Sequence, residues 1–331
     1  MTTSALARPR ALRLRGLTWL VWRQNRVAFW IGLVFALAVA VYAAVRHQEA
    51  VTAIDQRHLD ACRGITDSSS PCFTKILDFG SHYQYPMRRP LQVVIVLPLL
   101  FGLFFGGPQL AQELETDTYW TACSQSVSRV RWVLTKLAVP AAMTAVISAI
   151  LALAMPWWWH PVADVMGSQF PWYQWYPYYG IGPVVVGLSV LLFVVGVTFG
   201  LLLRRTVAAM AATLVVGAGV LVLLDRIRGH LLPTMTVNKQ HTSAIPGPDD
   251  AWVMSDSTLS ASGAPVSDVN SCYSSGNFDK CLTVHGRTGH WADYHPASHL
   301  WPMQGVETGL CLVLAAALTA LCVLWVRRRL V

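Results

Sequence analysis

Six apolar runs, near residues 27–45, 91–107, 133–155, 181–203, 206–224 and 305–326, alternate with polar stretches along the chain. A membrane-crossing helix needs about 17–25 mostly apolar residues, and each run meets that length. Only Arg204, Arg205 and their neighbours separate the fourth run from the fifth. One uninterrupted helix would bury both guanidiniums at about 2.5–3.5 kcal/mol each, so the pattern predicts a tight hairpin instead. The expectation is an all-α integral membrane fold of six transmembrane helices, with residues 1–331 forming one domain. Its outer loops are 46–90, 156–180 and 225–304, the last being a large loop between helices 5 and 6.

Ahead of the first run, ALRLRGLTWLVWRQNR (11–26) places Leu14, Leu17 and Val21 at helical spacing, and likewise Arg15, Trp19, Trp22 and Arg26. Arg and Trp on a short amphipathic helix suit the headgroup layer, where guanidinium meets phosphate and the indole is half wet. The alternative is a plain flank of the first span. No cleavable signal peptide is read, because the basic segment is much longer than a signal n-region.

Composition agrees with the pattern. Hydrophobic residues make up 54% and charged residues 13%, against about 25% charged in soluble domains. The net charge of +8 raises the question of nucleic acid, but the tight basic clusters lie in membrane flanks. Fourteen of the 25 Lys and Arg fall in the N-terminal segment, the 108–136 segment, the Arg204–Arg205 turn and the Arg327–Arg329 tail. Basic clusters stay on the cytosolic side, so both termini are placed in the cytosol of a multi-pass cell-membrane protein with no nucleic-acid partner. Cys62, Cys72, Cys272 and Cys281 then fall in outer loops as two close pairs, which makes them disulfide candidates on the oxidising side. Four free thiols are the alternative. Cys123 is cytosolic, and Cys311 and Cys322 lie in helix 6.

The outer loop 156–180 is crowded with Trp157, Trp158, Trp159, Trp172 and Trp175. The reading is an aromatic rim at the outer headgroups, with an exit gate for cargo as the sharper alternative. The loop 225–304 is too long for a turn and reads as a disulfide-tied cap. His290, His295 and His299, near Asp293, match no strong zinc spacing, so no metal is assigned.

No GxxxxGK[ST], GxSxG, HExxH or CxxC occurs, so the chain is not read as an enzyme. The helix centres lack ionisable residues; Glu307 and Lys136 are placed at helix ends and assigned to snorkelling. Gly102 and Gly106, and Gly196 and Gly200, stand four apart, a spacing that lets helices approach closely. Pro98 predicts a kink.

The remaining polar island is Pro108–Lys136. Pro108 suits a first helical turn, Glu113 and Glu115 follow, a break is expected near Asp117–Thr118, and Ser126 or Ser128 can cap the next helix. It reads as a short cytosolic helix between helices 2 and 3 that can take a push from a partner, with an ordinary loop as the alternative. The run QLAQELETDTYWTACSQSVSRVRWVLTKL resembles the same segment of bacterial ABC-2 type permeases, with E-L-E and an aromatic followed by SQSVSRVRW and K-L. The resemblance implies an ABC exporter half: a permease that pairs with a second copy and with separate ATPase subunits, which bind ATP and magnesium. The chain itself then needs no cofactor. By that match Gln109, Gln112, Glu113, Glu115 and Asp117 belong to a coupling helix seated on the ATPase, and the cargo is amphipathic or hydrophobic. A competing reading is a non-transporting sensor or assembly factor whose outer cap binds an extracellular ligand.

Overall fold

The computed structural model of the chain describes residues 16–63, 70–116, 128–240, 247–260, 265–266, 272, 280–281, 284 and 287–329. The helices are α1 (Leu17–Gln56), α2 (Pro71–Leu100), α3 (Gly107–Glu115), α4 (Arg129–Met166), α5 (Trp175–Gly180), α6 (Val184–Leu203), α7 (Thr206–Ile227) and α8 (Leu300–Arg329). Six helical stretches are long and apolar enough to cross a membrane. The all-α six-span class is therefore correct, although the helices outrun the apolar runs.

α1 carries the amphipathic flank and the first span without a break from Leu17 and continues to Gln56, so no separate connecting helix stands apart among the described residues. α2 starts at Pro71, with Ser70 accepting from the Cys72 N–H at 3.3 Å. A side-chain acceptor at the N-cap and Pro at the first turn satisfy or remove orphan donors. The expected loop 46–90 thus shrinks to the residues between Gln56 and Pro71. α4 likewise runs through Pro156 and Pro161 to Met166, so much of the expected loop 156–180 is helix. Ser128 caps α4, accepting from the Arg131 N–H.

Helix 2 does not stop at Pro98. Three residues on, Phe101–Gly106 widens into a π-turn, and α3 follows directly. Insertions of this kind occur where a helix must re-aim its face.

α6 is the axis of the bundle: 78% of its apolar window is buried, against 11% for α1. α8, α4, α3 and the π-turn pack around it. The two glycine pairs anticipated in the sequence meet at one crossing. A methyl on Gly196 would collide with the Gly102 carbonyl, and one on Gly106 with the Phe193 carbonyl. One on Gly200 would lie 2.6 Å from the Gly107 carbonyl oxygen. Only backbone without Cβ allows so close an approach. α6 ends at Arg204 in the left-handed conformation (φ 54°), and Arg205 is extended before α7. That is the hairpin expected between the fourth and fifth runs.

Beyond α7 the chain forms an antiparallel sheet of β1 (Met235–Gln240), β2 (Trp252–Ser260), β3 (Pro265–Val266) and β4 (Arg287–His295), in the order β1-β4-β2-β3. β4 is central, with Met235 opposite Tyr294 and Trp252 opposite His295. The long polar loop is therefore a small folded cap. Its strands were hidden because Ser, Asp, His and Gly interrupt the apolar alternation that marks a strand.

Candidate coupling site and a polar cluster at the opposite end

The α3 helix is pinned on three sides. Its Glu113 carboxylate lies 2.5 Å from the Lys136 ammonium of α4, which also donates to Gln24 of α1 at 2.7 Å. Lys136 is only 3% exposed. The snorkelling assignment fails for it, because the carboxylate and amide replace its water and let the charge stay inside. Two residues on, toward the opposite face of α3, Glu115 Oε2 accepts from the Thr206 N–H at 3.0 Å and from its hydroxyl at 2.8 Å. Glu115 thereby caps α7, where unsatisfied N–H groups and the helix dipole both favour a carboxylate. The third contact is apolar: Leu110, Ala111 and Leu114 are buried, and Ala111 abuts Gly200 of α6.

These contacts sort the residues expected to dock a partner. Gln109, Gln112 and Glu113 line a cavity of about 360 Å³ against Gln24 and Asn25 of α1. Gln112, Glu115 and Thr116 are exposed. Asp117 and Cys123 lie outside the described residues. Two of the expected docking carboxylates therefore serve as internal ties, a role that local sequence did not reveal because their partners are 23 and 91 positions away.

At the other end of the bundle, the expected aromatic rim is mostly interior. Trp158, Trp159 and Trp172 are buried, and Trp157 is 47% exposed. Trp158 meets Tyr42 edge-on, Trp157 stacks on His47 at 4.3 Å, and Trp175 packs on Tyr179. The Trp172 indole N–H donates to the Asp250 carbonyl of the cap at 2.9 Å. Because α4 extends to Met166, these rings pack against α1 and the cap rather than forming a belt.

The same region holds a polar cluster that the sequence reading missed. Glu307 of α8 is 0% exposed and accepts from the Tyr178 hydroxyl at 2.9 Å; its assignment to snorkelling fails as well. Gln304 donates to the Tyr178 carbonyl at 2.8 Å. The Arg228 guanidinium lies 4.9 Å from the Tyr178 ring and 5.0 Å from the Trp252 ring, beside Asp225 at 3.0 Å. A cation over aromatic faces next to a carboxylate is a stable way to hold buried charge. Burial and the Glu307 carboxylate hold the Tyr178 phenol well above its usual range. The signal that could have found this cluster was the Glu307 and Gln304 spacing, one turn apart on a span.

Cys62 is bonded to Cys72, and Cys272 to Cys281. Cys311 and Cys322 are free and buried. His295 Nε2 contacts the Gly229 carbonyl at 3.0 Å and Nδ1 contacts His299 at 3.0 Å, while His290 sits apart on β4. Asp293 accepts from Thr236 and Ser255. Among the described residues no three His, Cys, Asp or Glu side chains converge as metal ligands would.

A family model described as "ABC-2 membrane transporter related" matches residues 33–228, which run from the first span through the fifth. No curated protein matches the chain, and no solved structure does.

Proposed function

Because the chain belongs to the ABC-2 membrane transporter related family, we propose that it is the membrane subunit of an ATP-driven exporter. In this reading α3 faces the cytosol and rests on a separate ABC ATPase, which supplies the ATP- and magnesium-binding site. Two copies of the chain complete the assembly in the cell membrane, with both termini inside, and the cargo is amphipathic or hydrophobic.

The observation that carries the reading is the pinning of α3. One short helix at the end of the bundle is bonded to α4 and α7, is linked to α1 through the shared Lys136, and packs on α6. A displacement of α3 must move those helices with it, because packed backbones and paired charges do not stretch. Partner closure would rock the spans through these ties.

Since Glu113 and Glu115 hold the bundle together, reversing their charges would confuse docking with folding. The cleaner test is Gln112→Arg, which changes an exposed position and leaves both ties intact. Co-purification with the ATPase is expected to fall sharply while the unfolding midpoint of the chain stays unchanged. Undiminished complex formation and export would sink the docking reading.

The folded cap favours a second reading, a sensor whose sheet binds an extracellular ligand. Replacing residues 235–295 with a short linker separates the two, since export that persists without the cap rules against a sensor.

A further inference from the structure

α1 packs chiefly along α4 and barely touches α2. The gap between α1 and α2 is a groove of about 920 Å³. Its lower walls are apolar: Phe35 and Val39 from α1, and Val93 from α2. Its upper end carries Arg88 and Arg89, with Tyr42 opposite. The arginines sit where the polar first half of α2 gives way to the apolar run from Leu91, which is the level of lipid headgroups in a spanning helix.

Among the described residues nothing compensates the charge in this groove. Arg46, Arg57 and Arg63, at the same end of the bundle, each have a carboxylate partner. Among the described residues Arg88 and Arg89 have none, and no Asp or Glu lines the groove. The Arg88 guanidinium lies 5.6 Å from both the Tyr85 and the Tyr176 rings. Its Nε is shielded from solvent and has no hydrogen-bond partner. The held Arg88 guanidinium and the exposed Arg89 beside it, above an apolar channel, match a phosphate with acyl chains below it, and arginine prefers phosphate because its N–H fork meets two oxygens at once. Phe35, Tyr42, Tyr85 and Val93 are each at least 39% exposed, so the groove opens on the face that meets the bilayer.

We propose that this groove binds an anionic phospholipid of the surrounding membrane, its phosphate on Arg88 and Arg89 and one acyl chain against Phe35, Val39 and Val93. The inference does not rest on the transport reading.

The test is native mass spectrometry of the full chain, delipidated in neutral detergent and titrated with phosphatidylglycerol or phosphatidylcholine. With about 1 kcal/mol for each of the two basic residues near a charged headgroup, the wild type should prefer phosphatidylglycerol by roughly thirtyfold. Arg88→Gln with Arg89→Gln should reduce the preference to near unity, and Arg88→Lys with Arg89→Lys should retain most of it. Val93→Trp, which fills the acyl channel and spares both charges, should weaken both lipids. Each variant is checked for an unchanged unfolding midpoint without lipid. No preference in the wild type overturns the proposal, as does a preference that survives the double Gln variant or is lost equally in the Lys variant. Displacement of the lipid by an equal concentration of inorganic phosphate would also overturn it, by assigning the site to the free anion.

Discussion

Lys136 of α4 and Glu113 of α3 lie 2.5 Å apart inside the bundle, with Gln24 of α1 as the second acceptor for the lysine. The pair replaces solvation that the buried ammonium lacks and that the half-buried carboxylate has only in part. Lys136→Met is therefore expected to destabilise the protein by about 2–4 kcal/mol, because it strands a carboxylate rather than merely deleting a contact. Adding Glu113→Leu should recover most of that loss, since two apolar groups have no charge to solvate. Thermal unfolding of both variants in detergent decides it. A double variant no more stable than Lys136→Met would show that the pair is not the source of the effect.

The crossing of α6 with the π-turn makes a sharp prediction about glycine. Gly106→Ala drives a methyl into the Phe193 carbonyl, and Gly196→Ala one into the Gly102 carbonyl. Backbone cannot step aside as a side-chain tip can, so each should cost about 1–3 kcal/mol. Gly219 of α7 is the control, as a methyl there meets nothing within 4 Å. Gly219→Ala should stabilise by about 0.5–1 kcal/mol, because alanine loses less backbone freedom in a helix. Equal effects at the three sites would contradict the packing described above.

Tyr178→Phe removes the donor that Glu307 accepts at 2.9 Å. A buried carboxylate that loses a hydrogen bond costs about 1.5–3 kcal/mol. Glu307→Gln, which keeps the shape and drops the charge, should cost less. Unfolding midpoints that rank the two variants the other way would remove Glu307 from its assigned role.

Within the cap, burial lowers the basicity of His290 below its ordinary value of 6.5, against the opposing pull of Asp256. The sign follows from proton linkage. The unfolded chain takes up the proton first, so the contribution of His290 is full above about 6.5 and is lost as pH falls from there toward the lower folded value. Amide protection in β2 and β4, corrected for intrinsic exchange, should therefore drop between neutral and mildly acidic pH. His290→Phe should flatten that dependence. An unaltered dependence would assign the effect to another group.

Much of the architecture was written in local pattern. The lengths of the apolar runs set the six spans, because a bilayer imposes its thickness on any helix that crosses it. Ser128 as a cap, Arg204 and Arg205 at the hairpin and the two glycine pairs were equally visible, since each acts over a turn or two. Helix ends were less visible: the loops expected at 46–90 and 156–180 are largely helical, and α2 and α4 carry Pro86, Pro90, Pro156 and Pro161 within them. Neighbouring helices hold a span whose internal bonds are interrupted, and proline's cost is met by that packing.

The tertiary structure alone decided which polar residues are partners. Glu113 and Glu115 looked like a surface until α4 and α7 were placed beside them. Glu307 looked like a snorkelling end until Tyr178 was folded onto it. The sequence by itself determined that the chain is a six-span membrane protein with a charged segment between its second and third spans, because hydrophobicity is a property of each residue and its neighbours. Whether a charge faces water or another charge depends on groups 23, 91 or 129 positions away, and only the packed bundle brings those together.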